Sequence, residues 1–303
     1  MERPDNTYVD SAFSDDDMTR TNGMACLGDM LFRIERASCT TPINARNHHY
    51  HDYYELYYLY SGERYYFIKD KTYHVTPGSF VLVKPYDIHS TGKYSKYGYD
   101  RILITFKKSY LDGFLDATKG INLFECYEKD IHIIPLSYGE QSFVETLLIS
   151  MLEEHKAAAP GYEYFLKASL VQLLLLVCRY SGQLDEEPQG YYNTAHKTVS
   201  EVAAYINNHY SEDITLSSIA DQFFISPCYF SRTFKKVTGV PFIEYVNGVR
   251  IKEAQRLLKK TTMSIIEIAE AVGFKSTTHF GRTFKNVVGI SPIEYRKRRR
   301  AAK

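Results

Sequence analysis

One stretch near the carboxyl end of this chain is used twice. The segment 226–239 reappears fifty residues later as 276–289, and the twenty-residue windows that continue to Tyr245 and Tyr295 agree at eleven positions. An internal repeat of this kind indicates one supersecondary unit present in two copies. The chain must therefore contain two similar small units in tandem.

Each copy reads as a helix, a turn and a second, basic helix. In the first copy Thr215 is suited to cap a short helix, and Ser226, which proline follows, is suited to begin the second. Phe230 and Phe234 recur at helical spacing and predict a buried stripe, and Gly239 is placed to end the helix. The second copy repeats this plan, so the sequence predicts two helix-turn-helix motifs.

The outward face of each second helix carries polar and basic residues. At 100° per residue, six side chains point away from the predicted stripes: Cys228, Arg232, Lys235, Thr278, Arg282 and Lys285. An amphipathic helix predicted over 242–260 joins the motifs and spans ~28 Å at a rise of ~1.5 Å per residue. Helices carried on such a strut can enter successive major grooves, which recur every ~34 Å. Lys235 and Lys285 are placed to contact phosphate.

This paired layout resembles the AraC/XylS family of transcription regulators. The resemblance covers residues 196–300 and is carried by motifs such as Ile219-Ala220, Tyr229-Phe230-Ser231-Arg232, Gly273-Phe274 and Pro292-x-x-Tyr295-Arg296. It implies a DNA-binding domain at 197–300 with helix-turn-helix motifs at 216–238 and 265–288. It also implies base-facing positions at Cys228, Ser231, Arg232, Thr278, His279 and Arg282.

Charge is divided unevenly along the chain. Residues 196–303 hold 18 Lys and Arg against 9 Asp and Glu, a net charge of +9, whereas the whole chain has a net charge of only +1. The first 195 residues therefore carry a net charge of −8. A basic carboxy-terminal third is the electrostatic footprint of a phosphate-binding domain, so double-stranded DNA is the expected partner.

The amino-terminal half has a different pattern. From Leu31 to Phe106 the chain is rich in Tyr, Val, Ile and Phe and is interrupted by short Gly and Pro turns. Short strands at such regular spacing predict a β-barrel or sandwich. Because of its motifs around His49, Glu55 and His89, this segment resembles a cupin, a small jelly-roll barrel, in the variant that AraC-type regulators use as a sensor.

The segments 141–152 and 161–180 are predicted to be helical. The second has almost no polar face, so it must be buried on several sides. The resemblance implies that helices here dimerise; packing onto the barrel alone is the alternative. The expected fold is α+β and multidomain, in five parts: an arm at 1–30, a cupin-like effector-binding β-barrel at 31–107, a helical dimerisation segment at 108–180, a polar linker at 181–196 and the all-α DNA-binding domain.

His49, His51, Glu55 and His89 allow two interpretations. The first three fall on one side of a single predicted strand, so all four residues could converge on one iron, manganese or zinc ion, as in metal-dependent cupins. Alternatively, an AraC-type sensor keeps such residues for hydrogen bonds to an effector or within the barrel. We expect an effector site and no metal cofactor.

Eight tyrosines lie between Tyr50 and Tyr66. Aromatic faces stack on sugar rings, which would suit a carbohydrate effector. Tyrosine is also a common strand residue with a polar tip for half-buried surfaces. We assign most of these tyrosines to the structure and Tyr57 to the effector site.

Other features limit the class of protein. The amino terminus is polar and acidic, so we expect no secretory signal, and the apolar run from Leu170 to Cys178 is too short to cross a bilayer. Five cysteines without a CxxC pair favour a reducing cytoplasm. We expect a homodimeric, effector-responsive activator that contacts RNA polymerase and is not an enzyme. The rivals are a metal-dependent cupin enzyme and a metal sensor, each fused to a DNA-binding domain.

Overall fold

The computed structural model divides into a β-rich part and a helical part. The described residues are 20–21, 24–25, 31–39, 50–92, 98–114, 120–129, 131–184 and 194–301. Every strand among them ends by Pro135, and from Thr194 onward their regular structure is helical. The α+β prediction is therefore confirmed.

The β-rich part is built from short, mostly antiparallel strands. They are β1 (Arg20–Thr21), β2 (Met24–Ala25), β3 (Phe32–Cys39), β4 (Tyr50–His51), β5 (Tyr54–Ser61), β6 (Arg64–Ile68), β7 (Lys71–Val75), β8 (Ser79–Val83), β9 (His89–Gly92), β10 (Tyr99–Phe106) and β11 (Ile133–Pro135). The large sheet has the order β11-β8-β5-β10-β3, and two smaller sheets have the orders β7-β6-β9 and β1-β2-β4. In the large sheet Tyr57 lies between Val81 of β8 and Leu103 of β10.

Strand β5 is buried on both faces, which explains its run of large side chains. Tyr57 and Leu59 pack with residues of β6 and β7 inside the barrel. Leu56 and Tyr58 point the opposite way, into a core that the sheet shares with helices. Because side chains alternate along a strand, a strand between two cores needs large apolar residues at every position. Most tyrosines of this region therefore belong to the structure.

The described residues of the β-rich part include a short 3-10 helix (Lys108–Leu111) and the helices α1 (Glu125–Glu128), α2 (Tyr138–Ala157) and α3 (Tyr162–Ser181). A capping box begins α2, where the amide of Ser137 donates to Oε2 of Glu140 at 2.7 Å. Leu166, Leu170 and Leu173 of α3 are buried in the core behind the large sheet. Among the described residues α3 is also the one helix that has the length and apolar composition of a membrane span, and its buried leucines make it a core helix.

The helical part contains α4 (Thr194–His209), α5 (Leu216–Gln222), α6 (Pro227–Thr238), α7 (Phe242–Lys260), α8 (Ile265–Ala271), α9 (Thr277–Val288) and α10 (Pro292–Ala301). The hydroxyl of Thr215 caps α5, and Ser264 caps α8 in a capping box with Glu267. Phe234 and Phe284 are fully buried. The apolar stripes and these caps are thus confirmed, whereas Ser226 stands at the N-cap position of α6 without a capping hydrogen bond from its side chain.

Arg250, which lies on the strut α7, forms no ion pair with a carboxylate in the part of the chain that the structure describes. Its side chain is buried, and Nε and Nη2 donate to the carbonyl oxygens of Tyr210 and Glu212, each at 2.8 Å. The planar guanidinium can satisfy two carbonyl groups at once. Arg250 therefore joins α7 to the end of α4.

Candidate DNA-binding surface and sensor site

The predicted DNA-contacting residues lie on the outer faces of α6 and α9. Of these residues Ser231 is half-buried and the other seven are exposed: Cys228, Arg232, Lys235, Thr278, His279, Arg282 and Lys285. Each helix is preceded by a serine at the N-cap position and followed by a glycine in the left-handed region, with φ of 86° at Gly239 and 85° at Gly289. The two helices therefore present equivalent polar faces from equivalent backbones.

The turn inside each motif requires a left-handed residue. In the second motif this residue is Gly273, with φ of 88°, and a Cβ atom there would lie 2.8 Å from the carbonyl oxygens of Tyr210 and Ser211. In the first motif Phe224 occupies the equivalent place with φ of 54°, and its side chain is 95 % exposed. A bulky residue is unfavourable in this conformation, so the first turn is strained where the second is not.

The sensor residues His51, Glu55 and His89 converge inside the barrel. Nε2 of His51 lies 3.2 Å and Nε2 of His89 lies 3.5 Å from Oε2 of Glu55, and all three side chains are buried. The prediction of one continuous strand is wrong, because His51 belongs to β4 and Glu55 to β5, with a bend at 52–53 between them. His49 lies outside the described residues.

Burial and mutual charge set the protonation of this cluster. Burial lowers the pKa of His51. For His89, burial opposes protonation, but the hydrogen bond and charge of Glu55 raise its pKa overall. Burial likewise opposes ionisation of Glu55, but its hydrogen bonds to the two imidazoles hold its pKa well below the usual range. The arrangement therefore favours the carboxylate form of Glu55 and the charged ring of His89, and it favours the neutral ring of His51.

The same three residues also fit a metal ion. Nδ1 of His51 is 2.9 Å from the carbonyl oxygen of Tyr53, and Nδ1 of His89 is 2.9 Å from that of Asp87. Backbone partners of this kind fix the ring so that Nε2 can act as a ligand. The possible ligand atoms all lie within 4.8 Å of one another. Two histidines and one carboxylate are a known set for divalent transition metals.

Tyr57 lies next to this cluster on the inner face of β5, and its ring meets that of Tyr66 edge-on at 5.1 Å. It is 1 % exposed, and its hydroxyl forms no hydrogen bond with the described residues. Burial raises its pKa to about 12. An unpaired buried hydroxyl costs ~1–3 kcal/mol, so Tyr57 is suited to bond to a ligand.

The sequence did not indicate that the barrel packs against the first helix-turn-helix motif. Ser90 Oγ donates to the carbonyl oxygen of Val237 at 2.8 Å, and the hydroxyl of Tyr245 donates to that of Lys69 at 2.6 Å. Ile88 belongs to the core of the helical domain. These contacts join residues more than a hundred positions apart, which no local pattern reveals.

Several of these contacts come from the barrel segment 87–90. Lys252 of α7 forms an ion pair with Asp87, whose carboxylate is completely buried. A Cβ atom on Gly248 would lie 3.0 Å from Cδ1 of Ile88. The strut therefore approaches the barrel closely at a position where the strut carries no side chain. The same four residues include His89 of the sensor cluster. We call 87–90 the docking segment.

Comparison with known families accounts for both parts of the chain. Residues 34–174 match the AraC-like ligand binding domain, and residues 219–298 match a helix-turn-helix domain. The chain belongs to the AraC family of transcriptional regulators. Its two parts are thus a ligand-binding domain and a DNA-binding domain, and the resemblance noted from the sequence is confirmed.

Three relatives illustrate the range of this AraC-family chain's similarity. It is 27 % identical to the uncharacterized HTH-type transcriptional regulator YfiF of Bacillus subtilis, over 83 % of this chain and 82 % of that protein. It is 25 % identical to the HTH-type transcriptional activator RhaR of Mannheimia succiniciproducens, over 78 % and 85 %. A solved structure of unsaturated fatty acid bound ToxT from Vibrio cholerae is 17 % identical, with a TM-score of 0.35 over 92 % and 97 %.

Proposed function

We propose that this AraC-family protein is a cytoplasmic, homodimeric activator without enzymatic activity, and that a small molecule in its barrel controls how its DNA-binding domain is held. One observation carries the proposal. The docking segment supplies His89 to the sensor cluster, while its neighbours Ile88 and Ser90 contact the DNA-binding domain.

The coupling follows from chain geometry. Consecutive Cα atoms are ~3.8 Å apart, so His89 cannot move far without moving Ile88 and Ser90. A ligand that pairs with Glu55 or His89 would change the geometry of the docking segment. It would thereby shift the equilibrium between a state in which the DNA-binding domain is docked on the barrel and a state in which it is not. A ligand shifts such an equilibrium only by its differential affinity for the two states.

DNA binding is assigned to the outer faces of α6 and α9. Arg232 and Arg282 occupy equivalent exposed positions, where a guanidinium can bond to guanine in the major groove. Lys235 and Lys285 lie one turn further along and are assigned to phosphate. The net charge of +9 on residues 196–303 supplies the attraction common to all sequences.

Dimerisation is assigned to the side of α3 that faces away from the barrel. Phe165, Ala168 and Gln172 are exposed there, and Leu175 is half-buried. Their spacing of three and four residues places them on one helix face. A second copy of the chain could cover this face in a two-fold interface. Activation through RNA polymerase is supported by the activator name of the relative RhaR.

The function can be tested on the full-length protein. An operator is selected from random duplex DNA, and its affinity is measured by fluorescence anisotropy with and without an effector found in a thermal-shift panel of carbohydrates and carboxylates. Ile88→Ala should bind the operator but lose the effector's influence on affinity. The exposed Ile121→Ala is a matched control, since Ile121 lies outside the contact. An unchanged response in Ile88→Ala would rule out this route.

The convergence of two imidazoles and one carboxylate favours a second candidate, a metal sensor or metal-dependent enzyme. A bound divalent ion held by His51, Glu55 and His89 would supply Lewis-acid or redox chemistry. Elemental analysis of purified protein separates the two functions, because the effector-responsive activator should contain no stoichiometric metal. A metal content that approaches one per chain and is lost in Glu55→Gln would favour the second.

A further inference from the structure

The barrel also contains one buried and one partly buried arginine away from the histidine cluster. Arg64 begins β6 and is 7 % exposed, and its Cζ lies 4.1 Å from the centre of the Tyr99 ring. Arg101 of β10 donates from Nη2 to Oε1 of Glu35 at 2.7 Å. The side chains of Arg101 and Glu35 are 18 % and 27 % exposed, so a ligand can reach this end of the barrel from solvent.

Positive charge exceeds negative charge in this group. Glu35 is shared between Arg101, at 2.7 Å, and Arg33, at 2.5 Å. No described carboxylate forms an ion pair with Arg64, whose guanidinium instead lies over the Tyr99 ring. Two of these arginines therefore share one carboxylate, and Arg64 has none among the described residues. Burying a charge is unfavourable unless a partner of opposite sign and hydrogen bonds accompany it.

The hydrogen-bond donors in this group are also incompletely used. Arg64 Nε, Arg101 Nη1 and the Tyr57 hydroxyl are buried, and none of them bonds to a described residue. Arg64 and Arg101 both act to lower the pKa of Tyr57 and of Tyr66, against the larger effect of burial. The strand register supports the same grouping, because Tyr57 pairs with Leu103, two residues from Arg101 on β10, and alternate residues of a strand share one face. Tyr66, whose ring meets that of Tyr57, lies two residues from Arg64 on β6, so the unused donors lie on one region of the inner surface.

We propose that the effector is a small organic anion and that Arg64, Arg101 and Tyr57 bind its carboxylate. The proposal rests on the proposed function, in which the barrel holds the effector, and it names the effector's chemical class. A carboxylate offers acceptors to several donors and neutralises buried charge, and charge-assisted bonds of this type are the strong ones. The hydroxyls of a neutral sugar provide acceptors but do not compensate the charge.

The test uses the full-length protein and pairs of compounds that differ in charge. Glucuronate is compared with glucose, benzoate with benzyl alcohol, and inorganic phosphate serves as a simple anion. The carboxylate that binds should raise Tm by about 5–10 °C at a hundredfold excess over Kd, and its neutral partner should not. A shift with phosphate alone would show an anion site that does not select carboxylates and would overturn the assignment to an organic acid.

Three variants test which residues are responsible. Arg64→Met and Tyr57→Phe should each abolish the shift, whereas Arg36→Met should keep it, because Arg36 pairs with Asp100 at the exposed surface. Without ligand, Arg64→Met should melt at or above the wild-type temperature, since it removes a buried charge without an anionic partner. A lower Tm for both Arg64→Met and Tyr57→Phe would show that these residues are structural and would overturn the proposal.

The outcomes also separate this proposal from the proposed function. If neutral sugars raise Tm equally in wild type and Arg64→Met, the barrel binds an effector but the anion assignment is wrong. If a carboxylate binds through Arg64 and leaves operator affinity unchanged, the binding site stands and the regulatory function fails.

Discussion

The two helix-turn-helix units share a sequence pattern but not an environment. At the end of α6, Thr238 is 0 % and Val240 4 % exposed. The equivalent residues at the end of α9, Val288 and Ile290, are half-buried. The difference arises where β6 and β9 pack against the end of α6, while no described strand contacts α9 closely. In the proposed function the first unit therefore has two roles, DNA contact and packing against the sensor, and the second unit has only the DNA contact.

This comparison indicates how an effector signal is divided. A change in the barrel reaches α6 through the contact of Ser90 with Val237. It reaches α9 through the strut α7. In this helix Arg250 bonds to the carbonyl oxygen of Tyr210, and Lys252 pairs with Asp87 of the barrel. We therefore expect an effector to alter contacts with the operator half that α6 reads more than with the other half.

The largest effects should come from the two cores, which are alike despite the different surroundings. Phe234→Ala and Phe284→Ala should each lower the free energy of unfolding by ~3–5 kcal/mol, because each leaves a cavity where a fully buried ring was. Urea unfolding measures both. A variant that melts like the wild type would mean that its helix is turned the other way and that the contact assignments on that helix are wrong.

Repetition and helical periodicity predicted this part of the fold well. Phe234 and Phe284 recur at the same register, and the capping residues Thr215 and Ser264 mark helix starts by local chemistry. The docking segment could not be predicted this way. Asp87 and Lys252 are 165 residues apart, and their pairing depends on how two finished domains fit together. Within the barrel, the sequence singled out His51, Glu55 and His89 but not the strand break between His51 and Glu55.

The next effect concerns base recognition by α9 of the second helix-turn-helix unit. Arg282→Ala should weaken operator binding by ~1–3 kcal/mol and relax the preference at one base pair, if its guanidinium pairs with guanine. Lys285→Ala should instead weaken binding to all sequences and reduce the salt dependence. Anisotropy titrations on operator and random DNA distinguish these results. Equal losses on both DNAs for Arg282→Ala would make it a phosphate contact.

A comparable effect is expected where the first helix-turn-helix unit and the strut α7 pack against the barrel. Lys252→Met removes the lysine that pairs directly with the buried Asp87 carboxylate, although Lys69 and Lys84 also act on that carboxylate. The loss should cost ~1–3 kcal/mol, a discounted range because Lys252 itself is 41 % exposed. Lys275→Met is the matched control, since its pair with Asp213 lies at the exposed surface. The control should unfold like the wild type. Equal stability of Lys252→Met and the control would mean that the docked arrangement contributes nothing.

A smaller effect should distinguish the two turns. Phe224→Gly relieves a left-handed bulky residue and should stabilise the first unit by up to ~1 kcal/mol, because the strain removed exceeds the extra flexibility of glycine in the unfolded chain. The reverse exchange, Gly273→Ala, should destabilise the second unit, since its Cβ would meet two carbonyl oxygens. Thermal unfolding of both variants checks this, and a destabilised Phe224→Gly would show that the exposed ring has a structural contact.

The smallest effect is a pH dependence that only the docked unit should show. His196 of α4 is buried with Nδ1 3.3 Å from Oγ1 of Thr72 in β7, and burial together with the nearby charge of Lys236 lowers its pKa.

A folded state that lowers the pKa of a histidine favours the neutral ring. The stability due to His196 is therefore fully present above the ordinary value of 6.5 and is lost as pH falls through the lower folded value. The wild type should lose stability relative to His196→Gln between pH 7.5 and 5.5, measured by urea unfolding. His279→Gln, which makes the same exchange at an exposed position of α9 away from the barrel, is measured beside it as the matched substitution. A flat difference for His196→Gln would mean that α4 is not held against the barrel and that the two units do not differ in the way described.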